Sequence, residues 1–265
     1  MNDLSLFYQS LGLAAAAVFV YMNAWYGYSV IKKRADIVDV AWGMGFIVIA
    51  ATLYFQRSEF SARALICLIC VACWGLRLAA HIHHRNHGKP EDFRYKAWRE
   101  EWGKGFWLRS YLQVFMLQGF FMLTIAASVL MIQAFSTSPL NVLDFVGLAI
   151  WGIGFFFEAV GDEQLRRYKL NPDNKGKIIQ SGLWRYTRHP NYFGEVILWW
   201  GIFVMALSVN YGIYSILAPL TITFLILKVS GIPMLEAKYA GNPEFEAYKA
   251  RTNAFWPWWP KRENT

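Results

Sequence analysis

The apolar residues of this chain fall into long blocks, and seven blocks are long enough to cross a bilayer, which takes roughly 20 residues of helix. They run approximately over 4–31, 36–56, 62–82, 110–134, 141–165, 192–210 and 211–229. Only SVNYG separates the last two, and its Asn210 and Gly212 favour a turn, so these blocks read as a two-helix hairpin. Of the 265 residues, 56% are hydrophobic and 17% are charged, whereas a soluble domain is about one quarter charged. The predicted fold class is therefore all-α: one polytopic membrane bundle of seven transmembrane helices over residues 1–265, with the half at about 141–260 facing a cofactor. The basic cluster Lys32-Lys33-Arg34 follows the first block instead of preceding it, so that block reads as a retained span rather than a cleavable signal.

Orientation follows from Lys and Arg. With the N-terminus outside, the inner segments 32–34, 77–109, 166–188 and 228–262 hold 24 of the 26 basic residues. Arg57 and Arg63 are the two left outside, and an even number of spans would break the segregation. The predicted topology is N-terminus outside and C-terminus cytosolic, with any active site opening to the cytoplasm. Most of the net charge of +8 is this bias together with attraction to anionic headgroups. The implied partners are membrane lipids, not nucleic acid.

A carboxylate at bilayer depth is unfavourable unless it is paired or lines a wet cavity, which makes each one a candidate functional group. Asp36 and Asp39 open the second block, Glu158 and Asp162 lie one turn apart near the inner end of the fifth, and Glu195 starts the sixth. Asp36, directly after the basic cluster, reads as an ion-pair partner; Asp39, one turn deeper, reads as functional. Cys67, Cys70 and Cys73 share one stripe of an apolar helix, where cysteine behaves as a small hydrophobe. His81, His83, His84 and His87 lack a carboxylate or cysteine to complete a metal set, so no metal is predicted. Gly43-x-Gly45 and Gly152-x-Gly154 do not extend to a dinucleotide-binding G-x-G-x-x-G and read as close helix contacts.

The densest group of polar residues is GLWRYTRHPNYFGE, 182–195, just before an apolar run. With RNHGKPEDFRY upstream, GDEQLRRYK between and AYKARTNAFWPW downstream, it resembles the C-terminal domain of the steroid 5-alpha-reductase and sterol-reductase superfamily, and more closely a bacterial membrane branch of it. The resemblance runs over roughly residues 34–260. Membrane methyltransferases of the isoprenylcysteine and phospholipid type share the Arg-His-Pro-x-Tyr core. They usually carry two adjacent glutamates before the final helix, where this chain has a lone Glu236.

The resemblance implies an oxidoreductase in a bacterial inner membrane, reducing an activated C=C bond (an enone) of a hydrophobic, steroid-like or other lipid substrate with hydride from NADPH. The phosphates of NADPH require fixed cations. Arg166, Lys169, Arg185, Arg188 and Arg251 are the candidates, with ordinary positive-inside anchoring as the competing reading. Asp162, Asn191 and Glu195 are expected at the ribose hydroxyls and nicotinamide amide, with His189, Tyr192 and Tyr248 beside them. The tail Pro233–Trp259 is expected to fold back and close the site, its FWPWWP acting as an interfacial anchor.

In the steroid reductases a glutamate on the second span and a tyrosine on the third polarise the substrate carbonyl. Asp39 takes the carboxylate's place, and a carboxyl group buried there is expected to stay neutral and donate a hydrogen bond. The tyrosine's place reads CWGLR, with Trp74 nearest; Tyr95, in the cytosolic EDFRY, is the substitute. Two other readings stay open: an S-adenosylmethionine-dependent membrane methyltransferase and a non-enzymatic lipid-binding bundle. Binding of NADPH, of S-adenosylmethionine or of neither separates the three.

Overall fold

A computed structural model describes residues 2–261, and the secondary structure among them is helical throughout, with no strand. Five helical runs are long and apolar enough to cross a membrane: Asp3–Lys32, Val38–Phe55, Ala62–Asn86, Val142–Leu170 and Gly212–Ala237. A sixth arises if Phe93–Ile125 and Ala127–Phe135, which meet at a 49° bend, form one broken span. Helix lengths therefore support five or six spans.

Two of the seven predicted blocks differ from the observed helices. The fourth begins near residue 93 rather than 110, because the polar helix Phe93–Trp102 runs into it, and it breaks at Ala126, where ψ is 0°. The sixth is a helix of 17 residues, Pro190–Ala206, or roughly 25 Å at 1.5 Å per residue. That is short of the approximately 30 Å hydrocarbon core, because the turn begins at Leu207.

The chain divides into two compact units, Met1–Asp144 with Met205–Ala218 and Phe145–Val204 with Pro219–Thr265. The first contains α1 (Asp3–Lys32), α2 (Val38–Phe55), α3 (Ala62–Asn86), α4 (Phe93–Trp102), α5 (Phe106–Ser110), α6 (Leu117–Ile125) and α7 (Ala127–Phe135), with a π-helical turn at Tyr111–Met116. Glycine sets how closely α2 and α3 approach. A Cβ on Gly43 would lie 2.7 Å from the Gly75 carbonyl oxygen, and one on Gly75 would lie 2.4 Å from that of Gly43. The two backbones therefore touch, as the small-residue reading of Gly43 requires. Cys67 and Cys70 are buried in the same helix and Cys73 is exposed.

The two arginines outside the basic segments are both held internally. Arg63, buried, binds Asp144 through Nε at 2.6 Å and Nη2 at 2.8 Å and also donates to the carbonyls of Ser138 and Pro139. Arg57 donates to the carbonyls of Gln133 and Ser136. Asp36 is paired as expected: it accepts both Nε and Nη2 of Arg34, at 3.0 and 2.7 Å.

The second unit is built on α8 (Val142–Leu170) and α9 (Pro190–Ala206), followed by α10 (Leu217–Phe224), a π-helical turn at Leu225–Val229, α11 (Ile232–Ala237) and α12 (Pro243–Arg251). Again glycine brings two helices together: a Cβ on Gly194 would lie 2.4 Å from both the Glu158 amide nitrogen and the Gly154 carbonyl oxygen. Gly152, the other member of the predicted pair, faces open space. Trp200 on α9 donates to Thr223 on α10 at 3.2 Å, consistent with the predicted hairpin.

Candidate active site

In the first unit, Asp39 occupies the first turn of α2 and meets two side chains from α4. Tyr95 Oη donates to Asp39 Oδ1 at 2.7 Å, and Arg94 Nη2 donates to Oδ2 at 2.6 Å. The local sequence explains why α4 supplies both. Asp92 caps that helix by accepting from the Arg94 amide at 3.0 Å and also takes Arg94 Nε at 2.9 Å, which fixes the guanidinium between two carboxylates. The Asp92 amide in turn donates to Asp36 at 3.1 Å. Glu91 clamps the next turn, accepting two hydrogen bonds from Arg99 and one from the Ala35 amide. The EDFRY stretch is thus moored to the start of α2 by four charged side chains.

The two expected substitutes for the family tyrosine fare differently. Tyr95 is buried and touches Asp39; Trp74 is buried in the α2–α3 core, edge-on to Phe46 at 5.3 Å. Asp39 was expected to donate a hydrogen bond; its two oxygens lie against the Tyr95 hydroxyl and Arg94 Nη2. Arg94 was not foreseen. Its signal was its place beside Tyr95 in EDFRY, passed over because the segment read as a cytosolic loop.

In the second unit, the RHPNY stretch builds a cluster around Glu236. Arg188 donates through Nε to Glu236 Oε1 at 2.9 Å, and His189 Nε2 lies 2.9 Å from the same oxygen. Arg188 also donates to the carbonyls of Lys249 and Thr252, and its amide donates to Asn253. Burial is the main influence holding the His189 pKa below its ordinary 6.5; Arg188 reinforces this and the Glu236 hydrogen bond opposes it. The neutral ring donates from Nε2 to Glu236, which leaves Nδ1 as an acceptor. Among the described residues that buried atom has no hydrogen-bond partner, and neither does Asn191 Oδ1. Asn191 Nδ2 donates to Asp162 at 3.1 Å, while Tyr192 stacks on the His189 ring at 5.5 Å. Glu195 is half-buried in the second turn of α9.

The tail wraps this stretch as expected. Thr187 Oγ1 donates to the carbonyls of Ala254 and Phe255, Tyr248 Oη donates to those of Trp184 and Thr187, and the Trp258 amide donates to Tyr186. Between tail and stretch lies a cleft of ≈ 600 Å³ lined by Gln180, Arg185, Tyr248, Arg251, Thr252 and Lys261 among others. Arg251 donates to Gln180, which is held by Glu244 at 3.2 Å.

These positions sort the predicted cations. Arg185 and Arg251 line the cleft, joined by Lys261, which sequence reasoning missed. Arg166 is exposed and bound to Glu163 at 2.6 Å, Lys169 is exposed near the end of α8, and Arg188 is buried among tail carbonyls. Glu236 was noticed only as a departure from a methyltransferase pattern, since its contact with His189 crosses 47 residues of sequence. The residues present fit a dinucleotide. Three cations, Arg185, Arg251 and Lys261, line one cleft and suit its phosphates, while the acceptor atoms Asn191 Oδ1 and His189 Nδ1 are buried outside that lining.

Residues 25–252 match the DUF1295 family, described as a protein family of unknown function, and the chain belongs to it. The family is steroid 5-alpha-reductase-like. Over 210 residues the chain is 23% identical to an uncharacterized protein of Schizosaccharomyces pombe, covering 68% of this chain and 60% of that one. It is 34% identical over 64 residues to 3-oxo-5-alpha-steroid 4-dehydrogenase 1 of Bos taurus, covering 24% of this chain and 25% of the relative. Against steroid 5-alpha-reductase DET2 of Gossypium hirsutum it is 36% identical over 69 residues, or 26% and 27% of the two chains. The chain thus spans less than two thirds of the curated relatives it matches. No solved structure matches at a significant level.

Proposed function

We propose that this protein is a membrane oxidoreductase that reduces the C=C bond of a hydrophobic enone with NADPH, working as a single domain of seven spans with its N-terminus outside. The observation that carries the reading is the Tyr95 hydroxyl on Asp39, with Arg94 on the other carboxylate oxygen: a phenol, its acceptor and a balancing cation at the start of a candidate span. The names of the matched reductases support it, and they favour it over the methyltransferase reading.

A bound NADPH would supply the hydride for the enone β-carbon, and water would supply the proton that the α-carbon takes up. In this reading Arg185, Arg251 and Lys261 hold its phosphates, while Asn191 and His189 accept from its ribose and carboxamide. Arg188, Glu236 and Tyr248 act as positioning residues that fix the tail. Tyr95 polarises the substrate carbonyl: rotation about its Cζ–O bond swings the proton from Asp39 to the carbonyl oxygen while the ring stays packed. Asp39 keeps the phenol oriented between turnovers, and Arg94 keeps Asp39 an acceptor.

The test is thermal stabilisation of the purified protein by NADPH, NADH and S-adenosylmethionine. A ligand well above its dissociation constant adds about 3 kcal/mol. Stabilisation by NADPH that is lost in Arg251→Gln supports the reading. Stabilisation by S-adenosylmethionine instead overturns it.

A further inference from the structure

We infer that the first unit carries a second binding site, for a zwitterionic phosphoethanolamine headgroup, in a cleft of ≈ 320 Å³ formed by the start of α1, the end of α2 with the following loop, and the end of α7. It is remote from Asp39. Asp39 opens α2 and this cleft closes it, and the 18 residues of that helix separate the two by roughly 25 Å.

The lining has three chemical parts. Leu6, Leu13, Leu53 and Ala134 give an apolar wall. Arg57 gives a half-buried cation whose Nε, Nη1 and Nη2 donate to the carbonyls of Glu59, Gln133 and Ser136. A guanidinium has five N–H donors in one plane, so two remain for a phosphate. The third part consists of acceptors. Gln133, 2% exposed, donates from Nε2 to the Ala64 carbonyl at 2.9 Å, while its Oε1 is buried with no hydrogen-bond partner among the described residues. Glu59 adds an exposed carboxylate on the same rim.

A purely anionic ligand would satisfy Arg57 but would meet Glu59 and leave Gln133 Oε1 unpaired. A ligand with a phosphate and a primary ammonium satisfies all three groups, and an ammonium has the N–H donors that a quaternary choline lacks. An unpaired buried acceptor is unfavourable and charge-assisted hydrogen bonds are the strong ones, so pairing Gln133 Oε1 and Arg57 with their complements supplies the affinity. Methylenes next to the headgroup lie against the leucine wall. Phosphoethanolamine has two sources, a membrane lipid and its soluble glycerol ester.

The inference does not rest on the reductase reading, and its test uses no cofactor. The full chain, purified and delipidated in detergent, is titrated with short-chain phosphatidylethanolamine, phosphatidylcholine and phosphatidylglycerol and with glycerophosphoethanolamine, following thermal stabilisation. The expected midpoint for phosphatidylethanolamine is about tenfold below those of the other two lipids. Glu59→Gln, an exposed substitution that leaves the fold alone, and Gln133→Leu each erase most of that preference. Equal response to all three lipids, preference for the anionic lipid, or unchanged preference in both variants overturns the site. A response to glycerophosphoethanolamine equal to that of the lipid supports the site with a soluble source; a response to the lipid alone supports it with a membrane source.

Discussion

Tyr95 and Asp39, 56 residues apart in sequence, are joined by a 2.7 Å hydrogen bond from the phenol to the carboxylate. If Tyr95 polarises the substrate, Tyr95→Phe lowers turnover by roughly 10²- to 10⁴-fold, the usual range for a positioned acid. NADPH-induced stabilisation stays intact, because the residues proposed to hold the cofactor belong to the other unit. Steady-state rates with an enone, measured beside the NADPH thermal shift, check both. A parallel loss of turnover and cofactor binding would make Tyr95 structural.

Glu236 receives both Arg188 and His189 on one oxygen. Glu236→Gln leaves a buried guanidinium without its counter-charge, and breaking such a pair is destabilising by on the order of 3 kcal/mol. The denaturation midpoint in detergent should fall accordingly. Limited proteolysis should cut the tail beyond Ala237 sooner than in the unsubstituted protein.

Stability should depend on pH through His189. Burial depresses its folded-state pKa below the ordinary 6.5, so the unfolded chain binds the extra proton first as pH falls. This contribution is full above about pH 6.5 and is lost as pH drops through the lower folded value. Denaturation midpoints between pH 8 and 5 should therefore decline on the acid side. His189→Gln should flatten that decline, and an unchanged slope would move its origin elsewhere.

The α8–α9 contact predicts opposite outcomes for two glycines on α8 and α9. A Cβ on Gly194 meets backbone at 2.4 Å, whereas Gly152 has nothing within 4 Å. Gly194→Ala should destabilise by roughly 1–3 kcal/mol through overpacking. Gly152→Ala should be neutral or slightly stabilising, since alanine is the better helix former. Paired thermal melts of the two variants decide it.

The helices were legible because hydrocarbon demands long apolar runs, and five of the predicted blocks reappear within a few residues at one or both ends. The fourth was misjudged at its start because Phe93–Trp102 is helical yet polar, and apolarity alone does not mark it. Charge segregation flagged Arg57 and Arg63 as exceptions without revealing that one would hold Asp144 and the other a set of carbonyls. Asp39 was visible as a carboxylate where few are tolerated. Its partner was half visible, as Tyr95 but not Arg94. Glu236 was passed over because nothing local marks a side chain whose partner lies dozens of residues away, and Lys261 because it lies beyond the tail segment expected to close the site.

The buried Arg188 guanidinium finds its main-chain acceptors at Lys249 and Thr252, 61 and 64 residues further on. At about 5–20 residues per second of synthesis, the ribosome makes Arg188 several seconds before it makes those carbonyls. Through that interval the head of α9 carries a charge with no settled place, and the stretch from Gly182 to Pro190 stays provisional. A message cut short before Thr252 would thus yield a chain whose helices are all present up to α11 but whose stretch from Gly182 to Pro190 is never locked. Such a product should be recognised by membrane quality-control proteases despite its intact hydrophobic segments.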